Sequence, residues 1–253
     1  MTIINNLDKD TMVNAMDYEN MLKDSFAYTK EGVFDKINRW VLLIIGTIIL
    51  TIPLLGYVAK IFRAEKPAPE VQNWGSLFVD GIKLLIVEIV YFIPVMILWA
   101  IMMFVLGSSV SPAANPYGAY GMTPMTGMAG AGAFGILIFL VEIVIAILLP
   151  VALIRFARSG NFNDAFDFHA IFDKIGKIGW VSYIIALIIG GLVVGIPLFI
   201  IMFIISAIIM AVMGLSALMV LPVIMVIIYL ILAPLIAVFM GRYMTLVFDS
   251  VTA

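Results

Sequence analysis

The chain has 253 residues, of which 64% are apolar and only 12% charged, with a formal net charge of −2 and no cysteine. Its mean hydropathy of +1.18 is far too high for a soluble domain, which carries about twice that share of charge and needs a polar skin. The balance excludes nucleic acid as a partner, because such proteins present a basic field. The missing cysteines exclude disulfides, thiolate metal sites and a cysteine nucleophile.

The apolar runs are about 20 residues or longer and do not alternate, which points to membrane-crossing helices rather than barrel strands. No signal peptide is visible, since the first apolar run starts near Trp40 behind a mixed-charge tail. From Met12 to Ile37, apolar residues at helical spacing (Tyr18, Leu22, Phe26, Val33, Phe34, Ile37) predict an amphipathic helix on the bilayer surface or on a partner, or else a solvated helix packed on its own protein.

Trp40–Phe62 is the first apolar run. Pro53 in its middle predicts either a kinked span or a re-entrant hairpin. A Pro-rich link, Glu65–Glu70, leads to an amphipathic stretch, Val71–Lys83, and then to a span over Leu84–Val105 that contains Pro94. Residues 107–134 are rich in Gly, Ala, Ser, Pro and Met, carry no charge, and read as a loop outside the bundle. Gly135–Arg155 is the next span. Arg158–Lys177 repeats the interfacial pattern. Ile178–Met213 is too long for one untilted span and contains Gly190, Gly191, Gly195 and Pro197, so a bend is expected there. Ala217–Met240 is the last span.

The fold class is thus all-α: a polytopic helical integral membrane protein of four to five Pro-kinked spans with cytoplasmic amphipathic helices and an internal repeat. Its parts are a tail (1–39), a first membrane cassette (40–106), the loop (107–134) and a second cassette with an extra C-terminal span (135–253). The repeat runs from Pro53 through Lys60/Arg63 to Lys83 and a span, and again from Pro150 through Arg155/Arg158 to Lys177 and a span. Phe-Asp-Lys-Ile occurs at 34–37 and at 172–175, each time shortly before a tryptophan. Lysine and arginine sort to the tail, both connectors and Arg242. The positive-inside rule therefore places connectors 63–82 and 156–177 and the C-terminus in the cytoplasm and the loop 107–134 outside, in a plasma-membrane protein. The side of the tail depends on whether Trp40–Phe62 spans or re-enters.

The motifs Gly56-Tyr-Val-Ala-Lys-Ile-Phe-Arg63, Lys66-Pro-Ala-Pro, Trp74-Gly-Ser-Leu-Phe-Val-Asp-Gly-Ile-Lys83 and Tyr91-Phe-Ile-Pro94, with Arg155-Phe-Ala-Arg158 and Ala165-Phe166, resemble a family of uncharacterised, mostly archaeal, multi-pass membrane proteins known only as a domain of unknown function. The resemblance implies a membrane location and supplies no catalytic residue.

Candidate sites are few. Glu88 and Glu142 lie inside apolar spans, where an ionised group is costly and functional by default. Their depths differ, with Glu88 about 8 Å from Lys83 and Glu142 about 20 Å from Arg155 along their helices. Either could serve an ion or proton path; otherwise Glu88 snorkels toward the interface or pairs with Lys83, and Glu142 stays protonated and hydrogen-bonded between helices. Met122, Met125 and Met128 are thioethers at a spacing that suits Cu(I). Gly191 and Gly195, with the ladder Ala233, Ala237 and Gly241, would let helices approach closely, either within the monomer or between copies. His169, the lone histidine, reads as structural. No catalytic triad, phosphate loop or metal-spaced cluster is present, and no cofactor is implied. The expected function is a non-enzymatic scaffold or accessory subunit. Its expected partners are the lipid bilayer and either a second copy or another membrane protein. An ion, proton or solute transporter is the alternative and Cu(I) binding a weaker one.

Overall fold

The computed structural model describes residues 16–109 and 125–251, with the backbone alone for 106–109 and 125–131. All regular structure among the described residues is helical. It comprises α1 (Tyr18–Thr29) running into a π-helical turn (Lys30–Phe34), α2 (Ile37–Ile48), α3 (Ile52–Phe62), α4 (Trp74–Ser109), α5 (Met125–Ser159), α6 (Phe162–Phe166), α7 (Phe168–Ile178), α8 (Trp180–Met213), a 3₁₀ turn (Gly214–Ser216) and α9 (Ala217–Asp249). Among the described residues, three stretches are long and apolar enough to cross a membrane: Trp74–Val105, Gly132–Ser159 and Trp180–Asp249. The third holds two helices, α8 and α9.

The chain divides into two compact units, 86–150 and the remainder. The smaller unit consists of the inner parts of α4 and α5. Its buried residues are apolar, among them Val87, Val95, Ile138 and Ile145.

In the larger unit the run Trp40–Phe62 is a helical hairpin. Leu50 and Thr51 both adopt left-handed backbone conformations (φ 56° and 64°), which non-glycine residues take up only under constraint. Pro53 falls in the first turn of α3, where its missing N–H breaks no helical bond. The two arms pack together near the turn, where a Cβ on Gly46 would lie 3.2 Å from Pro53. At the other end Arg39, at the start of α2, donates to the carbonyl of Ala68, just past the end of α3. Each arm is 11 or 12 residues long, about 17 Å at 1.5 Å per residue, roughly half the hydrocarbon thickness. The run is thus two short helices joined by a turn, neither of them as long as the ~20 residues of a span.

The other prolines do not divide their helices. Pro94, Pro150, Pro197, Pro222 and Pro234 all sit inside continuous helices. The bend expected in 178–213 is not a break, and the amphipathic stretch before Leu84 is not a separate element, because α4 begins at Trp74 and runs through it. The two ends of the expected loop 107–134 are helical, since α4 reaches Ser109 and α5 starts at Met125; residues 110–124 lie outside the described residues.

Helices α8 and α9 form an antiparallel hairpin about Gly214, whose φ of 55° suits glycine. The Tyr243 hydroxyl donates to the Ala186 carbonyl across it (3.0 Å). α9 is the hub of this unit. Phe239 packs against Phe26 of α1 with the rings tilted (4.7 Å), Trp40 of α2 donates to the Ile231 carbonyl, and Gly241 lies against Val58 and Ile61 of α3.

Candidate functional site

The charged residues of the larger unit gather where its helices end. Two arginines close this layer in a reciprocal way. Arg63, at the end of α3, donates through Nε to the Ala157 carbonyl (2.8 Å), and Arg158, at the end of α5, donates through Nε to the Phe62 carbonyl (2.9 Å). Each guanidinium thus satisfies a carbonyl that the other helix leaves without an intrahelical partner, where the helix dipole favours a cation. The outer nitrogens reach two more helices. Arg63 pairs with Asp80 of α4 (2.7 Å), and Arg158 forks onto Asp249 of α9 (2.7 and 2.8 Å). Phe248 sits beneath both Arg158 (4.8 Å) and Lys174 (4.3 Å) as a cation–π partner. Lys174 also donates to the Val251 carbonyl, and burial pushes its amine below the usual lysine range.

Two further arginines are buried outright. Arg242 has a side chain 3% exposed and donates through Nε to Asp24 of α1 at 2.6 Å. It also lies over the Tyr28 ring at 5.1 Å. One of its terminal nitrogens has no partner among the described residues. Asp24 receives Lys66 as well (3.2 Å), and the Arg242 hydrogen bond holds its carboxyl below the ordinary 3.8. Burial pushes the Tyr28 hydroxyl up; it donates to the Glu65 carbonyl. Arg39, equally enclosed, donates to the carbonyls of Gly32 and Ala68 and pairs with Glu70. Lys36 binds the same carboxylate (3.0 Å). Lys36 first, then Arg39, keeps Glu70 below its ordinary 4.5.

Two glycines make the helix crossing beneath this layer possible. A Cβ on Gly56 would stand 1.9 Å from the Leu77 carbonyl oxygen, and one on Gly81 would stand 1.9 Å from that of Ile52. The α3 and α4 backbones therefore touch, antiparallel, with Gly81 next in sequence to the Asp80 that pairs with Arg63. Spacing within one helix could not reveal this, because the two glycines lie on different helices.

The residues singled out from sequence fare unevenly. Glu88 is half-buried and Glu142 exposed. Among the described residues no hydrogen bond or ion pair joins them to each other or joins Glu88 to Lys83. Met122 lies outside the described residues, as do the side chains of Met125 and Met128 at the start of α5. The ladder packs within the monomer: Ala233 and Gly241 are buried, and Ala237 packs against the apolar core. Gly191 and Gly195 do not, since a Cβ on either meets nothing within 4 Å. The close internal contact belongs to their neighbour Gly190, whose Cβ would lie 2.8 Å from the Tyr243 ring. The two Phe-Asp-Lys-Ile segments behave alike, Phe34 packing on Trp40 (5.5 Å) and Phe172 on Trp180 (5.8 Å). No group of three His, Asp or Glu residues that could hold a metal occurs among the described residues.

A family model described as a protein of unknown function (DUF4013) matches residues 40–210, which include the Arg63–Arg158 clasp and both crossing glycines. No curated protein and no solved structure matches the chain.

Proposed function

The chain belongs to the DUF4013 family of proteins of unknown function, and we propose that it is a membrane-embedded, non-enzymatic scaffold or accessory subunit. In this reading the arginine layer fixes the helix ends on the cytoplasmic side, α1 and α7 lie at the membrane surface, and the α8–α9 hairpin offers a lateral face to a second copy or another membrane protein. The observation that carries the reading is the open glycine pair. Gly191 and Gly195 sit one turn apart on α8 with empty space over both, whereas the small residues of α9 are already used inside the monomer. Small residues facing outward let a partner helix come close in lipid, where no hydrophobic force drives association. The arginines fit the same reading, because their bonds to carbonyls and carboxylates hold helices together.

The test is the oligomeric state in lipid nanodiscs, together with the proteins recovered from native membranes. Association that Gly191→Leu and Gly195→Leu abolish, with folding intact, supports the scaffold. A monomer that recovers no partner removes it. A second reading, an ion or proton path, draws on Glu88, half-buried in α4 without an ion pair among the described residues. A proteoliposome flux that Glu88→Gln leaves unchanged ends that reading.

A further inference from the structure

A groove of about 620 Å³ runs along the α8–α9 hairpin, within the ~300–1,000 Å³ typical of ligand clefts. Its walls include Val194 and Leu198 of α8 and Ile236 and Phe239 of α9, and the end of α1 and the π turn close one end with Phe26 and Lys30. Two of its lining residues are polar. The Thr29 hydroxyl is already committed to the Ser25 carbonyl, so Lys30 is the one cation on the lining.

The groove has a direction. Its upper end adjoins the arginine layer, since Phe239 stands three residues from Arg242 and the α8 wall begins three residues past Gly190, which abuts Tyr243. From there it descends from Val193 to Ile201, about 12 Å at 1.5 Å per residue, along two helices with no charged residue between Trp180 and Gly241. Lys30 is exposed and stands one turn along from Phe26, which packs against Phe239 on the groove wall. It makes no ion pair among the described residues, although Glu31 and Asp35 flank it in sequence. A site with an exposed cation on its lining, without an ion pair among the described residues, and an otherwise apolar trough matches a molecule with an anionic head and a long apolar tail.

We propose that the groove holds one acyl chain of an anionic membrane phospholipid, with its phosphate on Lys30. This inference concerns a different face of α8 from the open glycines and stands apart from the scaffold reading. Lipid retention and oligomeric state are separate readouts, so either idea can fail alone.

The test uses the full chain in nanodiscs containing equal phosphatidylglycerol and phosphatidylcholine, followed by native mass spectrometry of the released protein. The expected result is one retained phosphatidylglycerol per chain in preference to phosphatidylcholine. Lys30→Ala lowers that retention about fivefold, the equivalent of about 1 kcal/mol for one basic residue at the surface. Lys30→Arg keeps it. Leu198→Trp, which fills the trough, lowers retention of both lipids; Val194→Phe serves if the tryptophan variant does not fold. Equal retention of the two headgroups by the native chain overturns the proposal, as does retention that survives both Lys30→Ala and groove filling. Lipid that enters only after deletion of residues 1–15 assigns the groove to the chain's own N-terminal segment. Lipid displaced as the protein dimerises assigns it to a second copy. Both results reject the lipid.

Discussion

Removing Asp24 tests how α1 is fastened to the hub helix. In Asp24→Leu the Arg242 guanidinium keeps the Tyr28 ring but loses its carboxylate at 2.6 Å, and one of its nitrogens is already without a partner among the described residues. A side chain 3% exposed cannot turn to water for compensation, and an orphaned buried charge of this kind costs ~3–5 kcal/mol. Asp24 itself is 37% exposed and shared with Lys66, so the lower end, about 3 kcal/mol, applies after allowance for solvent screening. For a chain this size that is a fall of roughly 6–12 °C in Tm. The double variant Asp24→Leu/Arg242→Met removes the charge with its partner and should regain most of the loss, because an apolar pair can replace a buried ion pair at little cost. Scanning fluorimetry in one detergent at one heating rate measures all three variants. A single variant within about 1 kcal/mol of the native protein, or a double variant no more stable than the single, refutes the argument that Arg242 is a buried charge held by Asp24.

Other outcomes follow from the same layer. Gly56→Ala and Gly81→Ala each push a methyl group into a backbone oxygen 1.9 Å away that has no rotamer to escape through; each should lose at least the ~1–3 kcal/mol typical of overpacking, whereas Gly191→Ala should leave Tm unchanged. Arg63→Ala and Arg158→Ala each free a helix-end carbonyl and a carboxylate. Since both arginines are about a third exposed, about 1–2 kcal/mol is expected for each, and a double-mutant cycle should show coupling because both bonds span the same α3–α5 junction. Asp24 and Glu70 both have folded-state pKa values below the ordinary ones. Their contribution to stability is therefore fully present above about pH 4.5 and lost as pH falls toward the depressed values. A Tm profile flat through that range in the native protein, and unaltered in Glu70→Gln, would contradict the pairing.

The broad fold was legible because composition alone names the solvent, and in that solvent long apolar runs have to be helical. The α2–α3 hairpin was half legible. Pro53 marked the region, but the reversal is made by Leu50 and Thr51 in left-handed conformations that nothing in their side chains announces. The other helix-borne prolines end no helix, since α4, α5, α8 and α9 continue through theirs; in an apolar helix the freed carbonyl can be satisfied locally or by a neighbour. Gly190 and Gly191 differ by about 100° around the helix, enough to turn one onto Tyr243 and the other away from any neighbour. The arginines were visible as basic helix ends and as parts of a repeat. Their reciprocal bonding depends on two helix termini meeting in space, which spacing along the chain does not encode. Glu88 and Glu142 stood out for their cost in lipid, yet the charges that organise the larger unit are the ones at the helix ends.

In the proposed topology the charged layer marks one membrane face, the α2–α3 hairpin dips in and returns, and the α8–α9 hairpin crosses to the far face. The chain has no cysteine, so single cysteines report cleanly, and the most direct measurement is labelling with a membrane-impermeant maleimide in intact and in permeabilised cells. Ser216→Cys, at the α8–α9 turn, should label in intact cells. Asn73→Cys, in the connector, should label only after permeabilisation, and Leu50→Cys, at the tip of the short hairpin, should resist the reagent in both. Labelling of Ser216→Cys and Asn73→Cys from the same side, or of Leu50→Cys together with Ser216→Cys from outside, would contradict it.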